Sequence, residues 1–310
     1  MTHPDLPPPE TVHDDIARRG GRHPHMIGIV LIVAALLLIN CSDAVAKLVI
    51  VEIPVFQLAL VQAFAMVAAV PFLVRTTKLS RLVATRRPGL QLLRSACQFG
   101  SAICFYTGLG LLPLTSVIAI IMAGPLVVTA LAALVLKEQV GLRRWAACLL
   151  GLVGTLIVIR PGFHGMGWPA LWPIAAIAFF SVYAVVTRLT APHEQTGTMM
   201  FWGAIVALVV LAVSAPFYWV PPTPEVWLGM AICGILSASS NGLTIRAYAH
   251  APASLLAPFA YVEIVGGTIL GYLIWHHFPD GMTWLGIAII VSSGLYVWHR
   301  ERLAGPALTR

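Results

Sequence analysis

The chain has 310 residues, of which 59% are apolar and only 10% are Asp, Glu, Lys or Arg. A soluble domain usually carries about 25% charged residues, and the formal net charge of +7 comes from basic residues spread over short loops rather than gathered in one patch. These values exclude a soluble enzyme, a disordered chain and a typical nucleic-acid-binding protein, and they fit a helical protein that crosses a membrane many times.

Ten apolar segments follow one another, each close to the ~20 residues that an α-helix needs to cross a bilayer. Runs of this length favour helices over the shorter alternating strands of a barrel, so we predict an all-α integral membrane fold. The predicted transmembrane helices lie near residues 26–46, 53–74, 89–111, 115–136, 143–160, 169–190, 198–219, 226–249, 254–275 and 282–299. Gly124 and Pro125 are expected to kink the fourth of them.

The basic residues predict the orientation. If the N-terminus is cytoplasmic, all but two of the 19 Lys and Arg residues lie on the cytoplasmic side, and only Lys47 and Arg160 lie outside. We therefore expect an integral protein of a bacterial inner membrane with both termini in the cytoplasm.

The two halves of the chain resemble each other. Residues 42–48 resemble 182–188, and residues 113–119 resemble 251–257. Each half holds five helices, an odd number, so the second copy must enter the membrane from the opposite side. The expected organisation is a disordered cytoplasmic tail (1–25), two inverted five-helix repeats (26–162 and 163–302) and a short cytoplasmic tail (303–310). Inverted repeats are typical of transporters that work by alternating access, with the substrate site between the halves.

This layout resembles the drug/metabolite transporter superfamily, in particular its EamA-type members with two repeats. The resemblance extends from about Met26 to Arg302. The stretches that carry it are residues 110–114, Lys137 with Glu138, residues 160–162, residues 249–271, and Asp43 with Ala44 and Lys47. It implies secondary transport of a small organic metabolite, since similar proteins carry amino acids, riboflavin, S-adenosylmethionine, nucleotide-sugars or drugs. Many relatives have an Arg about where Gln62 stands in this chain.

Glu263 is the sharpest candidate for a functional residue. It lies near the middle of the ninth segment, where a charge costs at least ~2.5–3.5 kcal/mol. Such a side chain either binds a proton or a cationic group of the substrate, or it ties helices together while neutral or paired with Arg. Tyr261 lies two residues earlier and points to a different face. Pro258 is expected to open the helix at this depth.

Asp43 and Lys47 are four residues apart, so they share one face of the first helix. They are expected to form an intrahelical pair. This pair is either a gate or substrate clamp on the outer access path, or a purely structural contact in which Lys47 also reaches the membrane interface. Tyr183 occupies the place of Asp43 in the second repeat.

The third and eighth segments are the least apolar and hold equivalent places in the two repeats. Polar side chains facing lipid are costly, so we expect these helices to line a central cavity, with Gln98 and Asn241 as the preferred lining residues. Arg94 either reaches the membrane interface or binds substrate. Gln57, Gln62 and Trp202, in the second and seventh segments, are further candidates for substrate contact.

Together these features predict a secondary transporter that moves a small organic metabolite by alternating access, with proton coupling through Glu263 as an option. Uptake of a vitamin or cofactor such as riboflavin or S-adenosylmethionine, and export of amino acids or drugs, both stay open. An intramembrane enzyme is disfavoured because the sequence has neither HExxH nor GxSxG. The sequence also has no P-loop, so we do not expect ATP hydrolysis to drive transport. We expect a monomer or homodimer in the lipid bilayer that binds its substrate, and protons if coupled, without nucleic acid, cofactor or metal.

Overall fold

The computed structural model of the protein describes residues 23–74, 82–135, 142–159, 167–190, 194–251 and 256–304. Within these ranges the chain is helical and contains no strand. Its α-helices are α1 (His23–Val49), α2 (Val55–Val74), α3 (Pro88–Leu111), α4 (Leu114–Ile121), α5 (Gly124–Val135), α6 (Leu142–Ile159), α7 (Leu171–Thr190), α8 (Thr196–Ser214), α9 (Pro224–His250), α10 (Val262–Trp275) and α11 (Gly281–Ala304). Lys137, Glu138 and residues 160–162, which carry part of the family resemblance, lie outside the described residues.

These helices confirm the predicted fold class. In the described part, six spans are long and apolar enough to cross a membrane, shorter apolar helices match the fifth, ninth and tenth predicted segments, and the less apolar α3 matches the third. The fourth segment is broken as expected: α4 ends at Ile121 and α5 begins at Gly124. Pro125 causes this break because it has no N–H to continue the hydrogen-bond ladder. At the ends, α1 begins at His23 and α11 runs to Ala304, so both helices extend slightly into the predicted tails.

The ninth segment is irregular where Glu263 lies. A short 3₁₀ helix (Ala257–Tyr261) contains Pro258, and α10 begins only at Val262. Glu263 therefore lies in the first turn of a 14-residue helix rather than inside a long one. At 1.5 Å per residue, 14 residues reach roughly 21 Å, less than the hydrocarbon core, so the 3₁₀ turn is part of the span.

Helix packing follows the symmetry of the repeats. If α1, α2 and α3 correspond to α7, α8 and α9, exchanging the halves turns the pair α1–α9 into the pair α7–α3. Both pairs are extensive contacts. The pairs α2–α8 and α6–α11, which the same exchange maps onto themselves, are also in contact. This is the arrangement that an inverted five-plus-five repeat requires.

Two glycines bring the backbones of α6 and α11 together. A Cβ on Gly154 would lie 2.9 Å from the carbonyl oxygen of Gly286, and a Cβ on Gly286 would lie 2.7 Å from the carbonyl oxygen of Gly154. No side chain fits at either position without moving backbone. Small residues at such crossings are the usual basis of close helix packing in membranes.

Candidate functional site

A cavity of about 460 Å³ lies between the two halves of the protein. Helices α1, α2 and α3 of the first half and α7, α8 and α9 of the second form its wall. Its volume is in the range typical of small-molecule sites, roughly 300–1,000 Å³. Its polar lining residues are Gln62, Arg94, Gln98, Tyr106, Tyr183, Thr187, Ser237 and Asn241, and its larger apolar ones include Met66, Phe99, Met199 and Met200.

The lining residues recur at intervals of four along each helix, which places them on one face. On α3 the sequence is Arg94, Gln98, Ala102 and Tyr106; on α8 it is Met199, Gly203, Ala207 and Leu211. The pairs Gln62–Met66, Tyr183–Thr187 and Ser237–Asn241 continue the pattern on α2, α7 and α9. The third and eighth predicted segments thus contribute to the wall, but α2, α7 and α8 contribute as well.

Five of the predicted candidates meet in this cavity: Gln62, Arg94, Gln98, Tyr183 and Asn241. Gln98 points towards α8, since a Cβ on Gly203 would lie 2.4 Å from its Oε1. Asn241 Nδ2 donates to the carbonyl of Ser237 on its own helix. Their assignment as substrate contacts stays a prediction.

Arg94 does not reach the membrane interface, because its side chain is buried at 3% exposure. Its guanidinium donates to the carbonyl of Met199 on α8 and, through Nε, to Gln91 Oε1 at 3.2 Å. Its Cζ lies 5.3 Å from the ring centroid of Tyr183 on α7. These contacts hold it inside the protein, so Arg94 joins one helix of the first half to two helices of the second at one end of the cavity.

Gln57 and Trp202 lie outside the cavity wall and have structural partners. Gln57 is fully buried, and its amide donates to the carbonyl of Val220 at 2.9 Å and accepts from the N–H of Val220 at 3.0 Å. Trp202 Nε1 donates to the carbonyl of Val83 at 3.1 Å. Each therefore holds a connecting segment in place.

A second contact ties the segment before α3 to the segment before α8. Thr85 Oγ1 donates to Glu194 Oε1 at 2.6 Å, and the N–H of Arg86 donates to the same oxygen at 2.9 Å. Slight burial of the Glu194 carboxyl raises its pKa, but these hydrogen bonds and the nearby positive charge of Arg86 outweigh that effect, so the pKa is lower than usual. With Trp202, this contact joins the halves beside the Arg94 end of the cavity.

Lys47 is not paired with Asp43, which corrects the pair predicted from their spacing. Lys47 Nζ donates to the carbonyls of Leu109 and Leu112, at 2.5 Å each, and lies 5.6 Å from the ring centroid of Trp275. The last carbonyls of a helix have no partner within the helix and attract cations. Lys47 therefore caps the C-terminus of α3 and links α1, α3 and α10 at the end of α3 farthest from Arg94.

Asp43 and Glu263 lie together between α1 and α10. Asp43 is 2% exposed, and the two carboxyl groups are close enough to interact electrostatically. Neither is among the residues that line the cavity. Tyr261 makes a different contact from Asp43 and Glu263, since its hydroxyl packs against Gly294 of α11. Its position on another face than Glu263 agrees with the sequence prediction.

Tyr106 belongs to the wall beside Gln62, although the sequence did not single Tyr106 out as a preferred site residue. Tyr106 is buried, and the side chain of Gln62 and the charge of Asp43 both act electrostatically on its hydroxyl. The four-residue spacing of Arg94, Gln98 and Tyr106 was the available signal. It identifies the face of α3 once one lining residue is known.

The family model of the EamA-like transporter family matches the chain twice, over residues 26–160 and 167–298. The chain belongs to this family. It is therefore a membrane transporter for a small organic molecule, which confirms the function predicted from the sequence. The two matches also agree with a ten-helix protein built from two repeats.

Two curated relatives show how this transporter compares with others. It is 30% identical over 254 residues to a riboflavin transporter of Vibrio cholerae, covering 80% of this chain and 84% of the relative. It is 28% identical over 284 residues to an S-adenosylmethionine uptake transporter of Rickettsia bellii, covering 90% and 96%. A protein of known crystal structure has the same fold, with a TM-score of 0.62 at 20% identity, over 90% of this chain and 98% of that one.

Proposed function

We propose that this EamA-family transporter takes up a planar, polar and largely uncharged heterocyclic metabolite of the riboflavin class. The observation that carries the proposal is the composition of the cavity wall. Three side-chain amides and two tyrosine hydroxyls offer donors and acceptors, while Phe99 and three methionines offer apolar contact to a flat ring.

Charge distinguishes riboflavin from S-adenosylmethionine as the substrate class. Among the described residues that line the cavity, Arg94 is the sole Asp, Glu, Lys or Arg side chain. A sulfonium or ammonium group is stabilised by a nearby carboxylate, and the described residues of the cavity wall include none. A neutral ring system with a polar edge needs no such partner. Similarity to the Vibrio cholerae riboflavin transporter supports the same choice.

Alternating access is the proposed mechanism. The cavity lies between the halves, and the ties at its two ends differ: Arg94, Trp202 and Glu194 join the halves at one end, and Lys47 caps α3 at the other. Opening one end requires one set of ties to break while the other holds. We further propose that the protein acts in a bacterial inner membrane with both termini cytoplasmic, that it has no enzymatic activity, and that its repeats divide near residue 162. A fluorescent protein fused to the C-terminus tests the orientation, because it should fold and fluoresce in the cytoplasm.

The binding experiment uses the quenching of riboflavin fluorescence by purified protein in detergent, with S-adenosylmethionine as competitor. We expect saturable binding that the competitor does not displace. Loss of a hydrogen bond in a buried site costs about 1–3 kcal/mol, so Gln98→Leu and Asn241→Leu should each weaken binding about tenfold. Ser239→Ala, an exposed change on α9 away from the wall, is the matched control.

Two results would overturn this assignment. One is displacement of the flavin by S-adenosylmethionine, or binding of that compound alone. The other is riboflavin affinity that is unchanged in both Leu variants. Uptake is tested separately, by asking whether expression of the protein restores growth of a riboflavin auxotroph at low external riboflavin.

A further inference from the structure

In the described residues, the contact between α1 and α10 brings two carboxyl groups together, and the ammonium of Lys47 at its far end is held by the carbonyls at the end of α3. Asp43 on α1 is almost fully buried and interacts electrostatically with Glu263 in the first turn of α10. Neighbouring negative charges in a low-dielectric interior repel strongly. Such a pair is stable only when it shares a proton or holds another cation.

Asn40 supplies an independent sign of a missing ligand at this contact. Its side chain is fully buried, Nδ2 donates to the carbonyl of Leu36 at 2.9 Å, and Oδ1 has no partner. Asn40 lies three residues before Asp43, on the same face of α1. Its amide packs against Gly266 and Gly267, where a Cβ would lie 2.7 Å from Nδ2 and 3.5 Å from Oδ1.

Asn40 thus lies about one helical turn from each carboxyl group, since Asp43 follows it by three residues on α1, and Gly266 and Gly267 follow Glu263 by three and four residues on α10. A buried acceptor without a donor is unfavourable. A protonated carboxyl group is a donor of the kind that this oxygen lacks. The unpaired oxygen and the unneutralised pair therefore point to the same ligand, a proton.

The other ionisable groups around Asp43 do not neutralise it. Tyr106 of α3 and Cys233 of α9 interact with it electrostatically, but neither is a cation. From the 3₁₀ turn before α10, the hydroxyl of Tyr261 packs against α11. On α1 itself, the ammonium of Lys47 is held by the carbonyls at the end of α3. The described helix α4 has no ionisable side chain.

The pair is connected to the cavity by two short polar routes. In the first, the charge of Asp43 acts electrostatically on the buried Tyr106, and Tyr106 and Gln62 both line the cavity. In the second, Gln62 Nε2 lies 3.5 Å from Ser237 Oγ, and Ser237 Oγ lies 2.9 Å from the hydroxyl of Ser42, the residue next to Asp43. A change of charge at Asp43 therefore acts on groups that face the substrate.

We propose that Asp43, Glu263 and Asn40 form a proton-binding site that couples proton movement to transport through Tyr106. In the loaded state one carboxyl O–H donates to Asn40 Oδ1. When the site opens to the other side of the membrane, that O–H bond breaks, the proton passes to water, and the pair carries one more negative charge. No electron transfer is involved. The coupling to substrate rests on the proposed function, whereas the proton site itself does not.

The proton site is tested without any substrate, by infrared difference spectroscopy of the purified full-length protein. At pH 7 exposed carboxyls are ionised, so a C=O band from a protonated carboxyl that shifts in D₂O should report the pair. We expect the band to vanish or split in Asp43→Asn and in Glu263→Gln. It should move to higher frequency in Asn40→Ala, which removes the acceptor. Glu52→Gln, an exposed carboxyl near the end of α1, is the control and should leave the band unchanged.

Coupling is tested in proteoliposomes with riboflavin as the probe. Both carboxyl variants should retain riboflavin exchange at equal pH and lose the accumulation that a pH gradient drives in the wild type. If the wild type moves no riboflavin, the proposed substrate is wrong, and the infrared result still decides the proton site.

Absence of the band in the wild type, or a band unchanged in both carboxyl variants, would refute the proton site. So would a rise in melting temperature with Na⁺ that Asp43→Asn abolishes, because the occupant would then be sodium. Each variant is first checked by gel filtration, and the two independent carboxyl changes keep the test valid if one of them fails to fold.

Discussion

Replacement of Lys47 by Met tests whether this side chain caps α3 or pairs with Asp43. Met keeps much of the length of Lys but removes the ammonium group, and with it two hydrogen bonds to the carbonyls of Leu109 and Leu112. Hydrogen bonds to a charged group contribute about 1.5–3 kcal/mol each. The cost of burying the ammonium and fixing a long side chain offsets part of this sum. We therefore expect a net destabilisation of about 3 kcal/mol.

The matched control is Leu48→Met, a change at the next residue, whose side chain is 48% exposed. Thermal unfolding in detergent, followed by gel filtration of a fluorescent fusion, should show a clear loss for Lys47→Met and little for Leu48→Met. Equal melting temperatures for the wild type and Lys47→Met would refute the capping role.

A double-mutant cycle then separates the two interpretations of Lys47. If Lys47 and Asp43 do not contact each other, the effects of Lys47→Met and Asp43→Asn should add to within about 0.5 kcal/mol. An ion pair would instead give a coupling energy of about 0.5–3 kcal/mol. A coupling in that range would show that the pair predicted from the four-residue spacing exists after all.

Three further predictions follow from other contacts. Gly203→Val should weaken substrate binding at least tenfold in the fluorescence assay with little change in melting temperature. The new valine side chain would meet the flexible end of Gln98 in the cavity and not the backbone. An unchanged affinity would place the substrate site elsewhere. Gly286→Ala should destabilise the protein by about 1–3 kcal/mol, because its Cβ meets backbone of α6, and normal melting would contradict that crossing. Because the pKa of Glu194 is lowered from its usual value of 4.5, its ionised carboxylate stabilises the folded protein at pH values above 4.5. This contribution is lost as the pH falls through the lowered pKa. Glu194→Gln should therefore flatten the acid side of the curve of melting temperature against pH, and an unaltered curve would argue against these hydrogen bonds.

The helices could be predicted from the sequence because their cause is local. A run of about twenty apolar residues must form a helix in a bilayer, whatever its neighbours are. The break at Gly124 and Pro125 is equally local. The position of Glu263 was harder to place, because the start of α10 depends on how far the 3₁₀ turn after Leu256 continues, and a single Pro does not fix that length.

The cavity was predicted only in part, because a polar residue shows its chemistry in the sequence but not its partner. Gln98 was preferred over Gln57 and Trp202 because of its segment, but the sequence showed no partner for any of the three. In the structure, Gln57 and Trp202 direct their polar atoms to backbone groups 163 and 119 residues away. Such partners are invisible in a sequence, since every residue has the same backbone. Within the described part of the chain no hydrogen bond engages the side chain of Gln98, which leaves its amide available to a ligand.

The two repeats use corresponding positions for different chemistry. Asp43 on α1 and Tyr183 on α7 occupy equivalent places, yet Asp43 is buried outside the cavity wall, and Tyr183 lies against Arg94 within it. The repeat thus provides a symmetric frame for the exchange of access, while the asymmetry separates substrate binding from proton binding. If this division is correct, Tyr183→Phe should change riboflavin affinity and leave the infrared carboxyl band intact, and Asp43→Asn should do the reverse. A variant at either position that altered both properties equally would show that the two sites are one.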